Sequence, residues 1–215
     1  MPLKPKKSLG QNFLIDKNII NKIIEVSEIN SDDEILEVGP GTGNLTKSIV
    51  SKKPKKIYLI EKDENLANDL ERQYLDRVDI IKKDILKIPY NFYSEKKFLI
   101  LGNLPYNIST KILSDWCLND KLNVSKMILM FQKEVAERIL ADVNSKEYSR
   151  ITILSKWKFD IKKVTDVKAN SFFPKPKVQS TVLKFIQKKK FHEIKDPKNL
   201  EKITKVFFNQ RRKMI

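Results

Sequence analysis

The chain is poor in several residue types, and each shortage narrows the reading. Cys117 is the only cysteine among 215 residues, so a disulfide scaffold is excluded. The single histidine, His192, reads as a surface residue, and no cluster has metal-ligand spacing, so no metal is expected. No stretch approaches the ~20 apolar residues of a membrane span. The start, Met1-Pro2-Leu3-Lys4-Pro5-Lys6-Lys7, is basic, but no apolar signal-peptide core follows it. Membrane and secreted classes are therefore disfavoured, and the expected location is cytoplasmic. Length and a hydrophobic fraction of 40% fit one ordinary soluble domain with a small appendage.

Arginine is also scarce, with 6 against 37 lysines, as the codon usage of an AT-rich genome would produce. The distribution of charge therefore says more than its total of +16. Residues 1–150 carry a net +3, whereas residues 151–215 carry +13. A positive field concentrated in the last third is what a polyanion partner requires. Lys188, Lys189 and Lys190, with Arg211 and Arg212, are the candidate residues for binding a nucleic acid.

Apolar runs of four or five residues alternate with helical patterns. Strands are expected at 35–38, 57–60, 78–82, 98–101 and 127–131. Helices are expected over 17–27 (capped by Asp16), 44–52, 66–75, 109–118 and 133–142. This alternation predicts a parallel sheet buried on both faces. Beyond Tyr148 a helix near 148–158 leads to strands at 161–167 and 178–186, read as an antiparallel pair on one sheet edge. The Phe172-to-Lys177 link holds two prolines and is expected to be irregular. A last helix is expected from Pro197 onward. Cys117 reads as packing on an amphipathic helix.

Glycine is rare too, with five in the chain against an average near ~7%. Three of them, Gly39, Gly41 and Gly43, follow the first predicted strand in Glu37-Val38-Gly39-Pro40-Gly41-Thr42-Gly43. A glycine-rich turn at the carboxyl end of a parallel strand cradles a nucleotide cofactor. No Lys follows Gly43, so this is not a phosphate-binding loop of the Gly-Lys-Ser/Thr kind, and the spacing also departs from G-x-G-x-x-G. Glu61, at the tip of the second strand, is placed to accept from a ribose diol. Asp84, ending the third, is placed to accept from an adenine amine. The pattern fits an adenosine without phosphates, and Glu37 suits a ligand carrying ammonium and sulfonium charge. S-adenosylmethionine meets these conditions.

Asn103-Leu104-Pro105-Tyr106 ends the fourth strand. The Asn103 side-chain carbonyl and a main-chain carbonyl near Leu104 suit the two protons of an exocyclic adenine amine, whose lone pair is otherwise delocalised. Pro105 fixes the backbone and brings no competing donor. Tyr106 is expected to stack on the base, worth ~1–3 kcal/mol, and Phe173 to cover the other face. Transfer then rests on positioning and electrostatics rather than on a general base. The base must be single-stranded, looped or flipped out.

Several segments together resemble the small-subunit ribosomal RNA adenine N6,N6-dimethyltransferase family. They are Gly10-Gln11-Asn12-Phe13-Leu14, Glu37 to Gly43, Glu61, Asp84, Asn103 to Thr110, Gln132-Lys133-Glu134-Val135, and Phe173-Pro174-Lys175-Pro176-Lys177-Val178. The resemblance implies an α/β, Rossmann-like, seven-stranded class I methyltransferase with S-adenosylmethionine as donor. It implies dimethylation of two adjacent adenosines in a hairpin loop near the 3′ end of 16S rRNA, in ribosome biogenesis. By position, Asn12 and Leu14 would line the methionine end of the cofactor site, and Gln11 would belong to a segment closing over it. Gly39 and Gly41 would belong to the loop, Glu61 would hold the ribose and Asp84 the adenine, and Asn103 would lie at the methyl acceptor.

The methyltransferase domain is expected over 1–187, and 188–215 as the truncated start of a small helical C-terminal domain that family members carry. A monomer is expected. Two alternatives remain in view. One is the antibiotic-resistance branch that dimethylates an adenine of large-subunit rRNA, which usually lacks Pro40 and has Ile in place of Leu104. The other is a non-catalytic assembly factor that kept the fold.

Overall fold

The computed structural model describes residues 5–6, 9–192 and 194–209. Its elements in chain order are β1 (Phe13–Leu14), α1 (Lys17–Ser27), β2 (Glu34–Val38), α2 (Asn44–Ser51), β3 (Lys56–Ile60), α3 (Glu64–Tyr74), β4 (Asp79–Ile81), β5 (Phe98–Asn103), α4 (Tyr106–Leu118), β6 (Val124–Gln132), α5 (Lys133–Leu140), α6 (Arg150–Lys158), β7 (Phe159–Val167), β8 (Phe172–Phe173), β9 (Ser180–Gln187) and α7 (Pro197–Asn209). Seven strands form one sheet in the order β4-β3-β2-β5-β6-β9-β7. The first five are parallel neighbours, while β9 runs antiparallel to both β6 and β7. The expected parallel sheet with an antiparallel edge pair is what forms.

Alternation along each strand divides the core in two. Ile35, Leu59, Leu99, Leu101, Ile128 and Met130 face α1, α2 and α3 and pack with Ile20, Ile23, Ile49 and Leu70. Leu36, Ile60, Ile100, Met127, Leu129 and Phe185 face the opposite way, toward Ile112, Leu113, Trp116, Cys117, Ile139 and Leu154. Helices on both faces explain why the strand sequences are continuously apolar. Full burial of each such Leu or Ile contributes ~1.5–3 kcal/mol. Asp16 caps α1 as expected, its carboxylate accepting from the N–H groups of Asn18 and Ile19. Helix α7 packs on α4 and α6 with Leu200 against the second core layer and Thr204 buried.

Two local expectations differ from the structure. Helix α4 begins at Tyr106 rather than near 109, because Pro105, already at φ −56°, serves as its N-cap residue. The Phe172-to-Lys177 link is not wholly irregular either. Phe172 and Phe173 pair antiparallel with Leu14 and Phe13 in a separate two-stranded sheet. The prolines that suggested irregularity, Pro174 and Pro176, lie just after that pairing, where no ladder hydrogen bond is needed.

Candidate active site

The chain order reverses between β2 and β5. Strand β2 lies between β3 on one side and β5 on the other. A crevice opens at such a switch point, beyond the carboxyl ends of the strands. Here it is a cavity enclosing about 1290 Å³ of empty space, open mouth included. Its lining contains Gln11, Asn12, Leu14, Glu37, Gly39, Gly41, Glu61, Asp84, Asn103, Leu104, Pro105 and Tyr106. Every residue expected at the cofactor and acceptor positions, apart from Phe173, is thus brought to one place.

The loop after β2 takes its shape from positive φ angles at Gly39, Gly41 and Gly43. At Gly41 (φ +58°) a Cβ would also stand 2.7 Å from Cδ1 of Phe13. The space that this glycine frees is therefore used by the N-terminal segment, which lies over the loop, and not by a ligand alone. Gly102 has a different reason: a Cβ there would come within 3.1 Å of both the Val38 carbonyl oxygen and Leu104 Cδ2. Its absence lets Leu104 fold back under the end of β5.

Three carboxylates surround the cavity in different states. Glu61 is 7% exposed, and its two oxygens accept from the N–H groups of Asp63 (2.8 Å) and Gly41 (3.1 Å). Burial raises its pKa, and those backbone bonds oppose the rise. Glu37 is 2% exposed and accepts from Thr46 Oγ1 at 2.7 Å. Burial first, and the nearby Glu61 carboxylate as well, push Glu37 up to about 8 against the pull of the Thr46 bond. No cationic side chain pairs with Glu37 among the described residues. Asp84 accepts from Lys62 Nζ (2.9 Å) and from the Leu86 N–H (3.0 Å). Burial raises its pKa, but Lys62 and the backbone bond outweigh that and hold the carboxyl below its ordinary value.

The acceptor motif is equally constrained. Asn103 Nδ2 donates to the Asn12 carbonyl at 2.8 Å, which leaves Oδ1 without a protein partner among the described residues. Tyr106 is tied through its hydroxyl to Ser180 Oγ at 2.5 Å. Phe173 stands apart: it is 54% exposed and outside the cavity lining, while its neighbour Phe172 is buried.

Several contributors were not legible as site residues in the sequence. Asp63, 4% exposed, accepts from Lys6 Nζ and Gln11 Nε2, both at 2.9 Å, and from the Asn65 N–H as the cap of α3. Burial raises the Asp63 pKa, but the Lys6 and Gln11 contacts prevail and lower it. Asn44 Nδ2 holds the Leu14 carbonyl at 2.8 Å. These bonds fasten the N-terminal segment across the cavity. A helix-capping position was the only local signal at Asp63, and it gives no hint of a partner 57 residues earlier. Gln11 lines the cavity, yet its amide is spent on Asp63.

The RNA-binding candidates are scattered. Lys188 follows β9, which runs away from the cavity: Ser180 pairs with Gln132 near the mouth and Ile186 with Lys126 at the other end. At ~3.4 Å per residue, Gln187 at the end of this strand stands ~24 Å from Ser180, and Lys188 follows it. Lys188 is also engaged, with Nζ donating to the Lys156 carbonyl at 2.6 Å. Arg211 and Arg212 lie outside the described residues.

The comparisons with known proteins agree with this geometry. The ribosomal RNA adenine dimethylase family matches residues 3–215. The chain belongs to that family. It is 52% identical over 217 residues to a Pelagibacter ubique protein named ribosomal RNA small subunit methyltransferase A, covering all of this chain and 82% of that one. Among solved structures it is similar to a dimethyladenosine transferase from Plasmodium falciparum, with TM-score 0.78, 30% identity, and coverage of 94% of this chain and 73% of that one. The 23S rRNA methyltransferase ErmE follows with TM-score 0.73, 26% identity, and coverage of 93% and 80%. The class I methyltransferase fold expected of this family member is the fold observed.

Proposed function

We propose that the protein transfers methyl groups from S-adenosylmethionine to N6 of two adjacent adenosines in the hairpin loop near the 3′ end of 16S rRNA, within the small ribosomal subunit. The observation that carries this reading is the state of Asn103. One N–H of its amide is committed to the Asn12 carbonyl, which fixes the side chain and leaves Oδ1 as an acceptor at the end of β5. An exocyclic amine needs such an acceptor to draw its protons and free its lone pair. No general base is required, and the work is positioning and electrostatics.

The cavity fits the methyl donor. Glu37 is a buried acid without a cationic partner among the described residues, an arrangement that a cationic ligand completes. S-adenosylmethionine supplies an electrophilic methyl group on a sulfonium. Glu61 retains acceptor capacity for a ribose diol, Asp84 for an adenine amine, and Asn12 and Leu14 border the remaining end. Tyr106, fixed by Ser180, presents a ring for the target base, and Phe173 covers the base from the exposed rim. Residues 1–187 form the methyltransferase domain, and α7 within 188–215 begins a helical region. The protein acts in the cytoplasm as a monomer.

Support for the small-subunit substrate comes from the relative at 52% identity, whose name specifies that subunit. The likeness to ErmE keeps one alternative concrete, a large-subunit target. The test is mass spectrometry of rRNA after incubation with S-adenosylmethionine and either immature small subunits or bare large-subunit RNA. Two dimethylated adenosines in 16S rRNA are expected. Modification of the large-subunit RNA alone, or of neither, would overturn the proposal.

A further inference from the structure

We propose that Tyr74 is a positioning residue for S-adenosylmethionine, holding the glycine loop from behind through the carbonyl of Gly43. The inference goes beyond the reading above and rests on it only for the identity of the donor. Of the three loop glycines, Gly39 and Gly41 line the cavity and Gly43 does not. A Cβ at Gly43 would stand 2.7 Å from Leu70 Cδ2, 3.4 Å from the Tyr74 hydroxyl and 3.5 Å from Tyr74 Cε2. The space that this glycine frees is thus filled by α3 and not by a ligand.

The contact is polar as well as steric. The Tyr74 hydroxyl donates to the Gly43 carbonyl at 3.2 Å and accepts from Gln73 Nε2 at 3.2 Å. Tyr74 is buried, and that burial, followed by the Glu37 carboxylate, raises its pKa, so the phenol stays a donor at neutral pH. The same Gly43 carbonyl accepts from the Lys47 N–H at 2.9 Å, and the Gly43 N–H donates to the Pro40 carbonyl at 2.9 Å. Gly43 is also the N-cap of α2 and offers no capping side chain, so its orientation depends on what stands behind it. Helix α3 therefore meets the cofactor loop at both of its ends. At its start the Asp63 N–H holds Glu61, whose other oxygen accepts from the Gly41 N–H. At its last residue, Tyr74, it holds Gly43. Gly41, Thr42 and Asn44, on either side of Gly43, line the cavity. A loop freed at Gly43 populates arrangements in which these residues no longer face the ligand, and affinity falls by the fraction of molecules that remain competent. Asn103 and Tyr106 belong to β5 and α4, so transfer from bound donor should proceed as before.

The experiment replaces Tyr74 by Phe, which keeps the ring against Leu70 and Gly43 and removes only the hydroxyl. Tyr93→Phe, at a second buried tyrosine outside the lining of this cavity, is the control for loss of a buried hydroxyl. Donor affinity is measured by calorimetry with S-adenosylmethionine, stability by urea unfolding, and methylation of immature small subunits as kcat and KM for the donor. Tyr74→Phe is expected to weaken donor binding and raise its KM by about three- to tenfold, the worth of one neutral hydrogen bond, with kcat within about twofold of wild type. Tyr93→Phe should lose stability and leave donor affinity unchanged. A Tyr74→Phe protein that binds the donor as tightly as wild type, or that loses kcat with KM unchanged, overturns the inference. An equal loss of affinity in Tyr93→Phe overturns it too, because general softening of the fold then accounts for both. A wild type that binds no S-adenosylmethionine removes the donor and this inference with it, whereas wild-type binding with an unaltered Tyr74→Phe removes only the inference. Wild-type methylation tests the substrate separately, and the calorimetric comparison does not depend on it.

Discussion

Replacing Glu37 by glutamine isolates the charge of one buried carboxyl and leaves its shape and its Thr46 bond in place. An ordinary Glu titrates near 4.5, and in the folded, ligand-free protein this one is held up to about 8. A raised acid pKa means that the native state binds the proton more tightly than the unfolded chain does. The penalty is absent below pH 4.5, grows between 4.5 and about 8, and is complete above that. Each pH unit within the window costs ~1.4 kcal/mol, so at pH 7 the wild type is less stable by on the order of 3 kcal/mol on this account. Glu37→Gln lacks the titration. Its urea-unfolding stability relative to wild type should therefore rise steadily from pH 5 to pH 8. Cofactor binding should carry the mirror image. A cationic ligand favours the carboxylate, so binding at pH 7 should release a proton from the wild type. That release is detectable as a dependence of calorimetric enthalpy on buffer ionisation, and Glu37→Gln should not show it. Parallel stability curves for the two proteins from pH 5 to 8 would refute the reasoning, because a solvated Glu37 predicts exactly that coincidence.

Asn103→Ala should abolish methyl transfer to small subunits while changing S-adenosylmethionine affinity no more than about fivefold, the worth of one lost neutral hydrogen bond of ~1 kcal/mol; equal methylation by the mutant would remove Asn103 from the acceptor site. Glu61→Ala should weaken cofactor binding by more than tenfold, since hydrogen bonds to a charged acceptor are worth ~1.5–3 kcal/mol each, and unchanged calorimetric affinity would contradict the ribose role. Asp63→Ala frees Lys6 and Gln11 together. It should speed cofactor dissociation and expose the first residues to limited proteolysis, and unaltered cleavage kinetics would show that the fastening is unimportant.

Much of this site was readable because its signals are local. Glu61, Asp84 and Asn103 each close or follow an apolar run and Glu37 is the penultimate residue of one, and a parallel strand delivers the residues at its carboxyl end to one edge whichever neighbours it pairs with. The order of the strands was not readable. A run such as Ile57-Tyr58-Leu59-Ile60 suits any position within a sheet buried on both faces, so nothing in it says that β3 adjoins β2. Helix α4 starts three residues before its expected start because Pro105, directly after the strand-ending Asn103-Leu104, is an ordinary way to enter a helix.

The alternation of strands and helices, the glycine loop after the first long strand, and the carboxylates and amide at the strand ends were all legible in the sequence. All of these follow from periodicity and backbone preference over a few residues. Long-range folding decided that Phe13 pairs with Phe173, that Asp63 holds Lys6 and Gln11, and that Asn103 donates to the Asn12 carbonyl. It also decided where the lysine run after β9 lies. Strand β9 runs antiparallel to β6, and that direction carries Lys188 away from the cavity, whose lining includes Met130 of β6 and Val182 of β9. Strand direction and long-range pairing depend on which surfaces remain to be buried once the other strands are in place, and no short stretch of sequence contains that information.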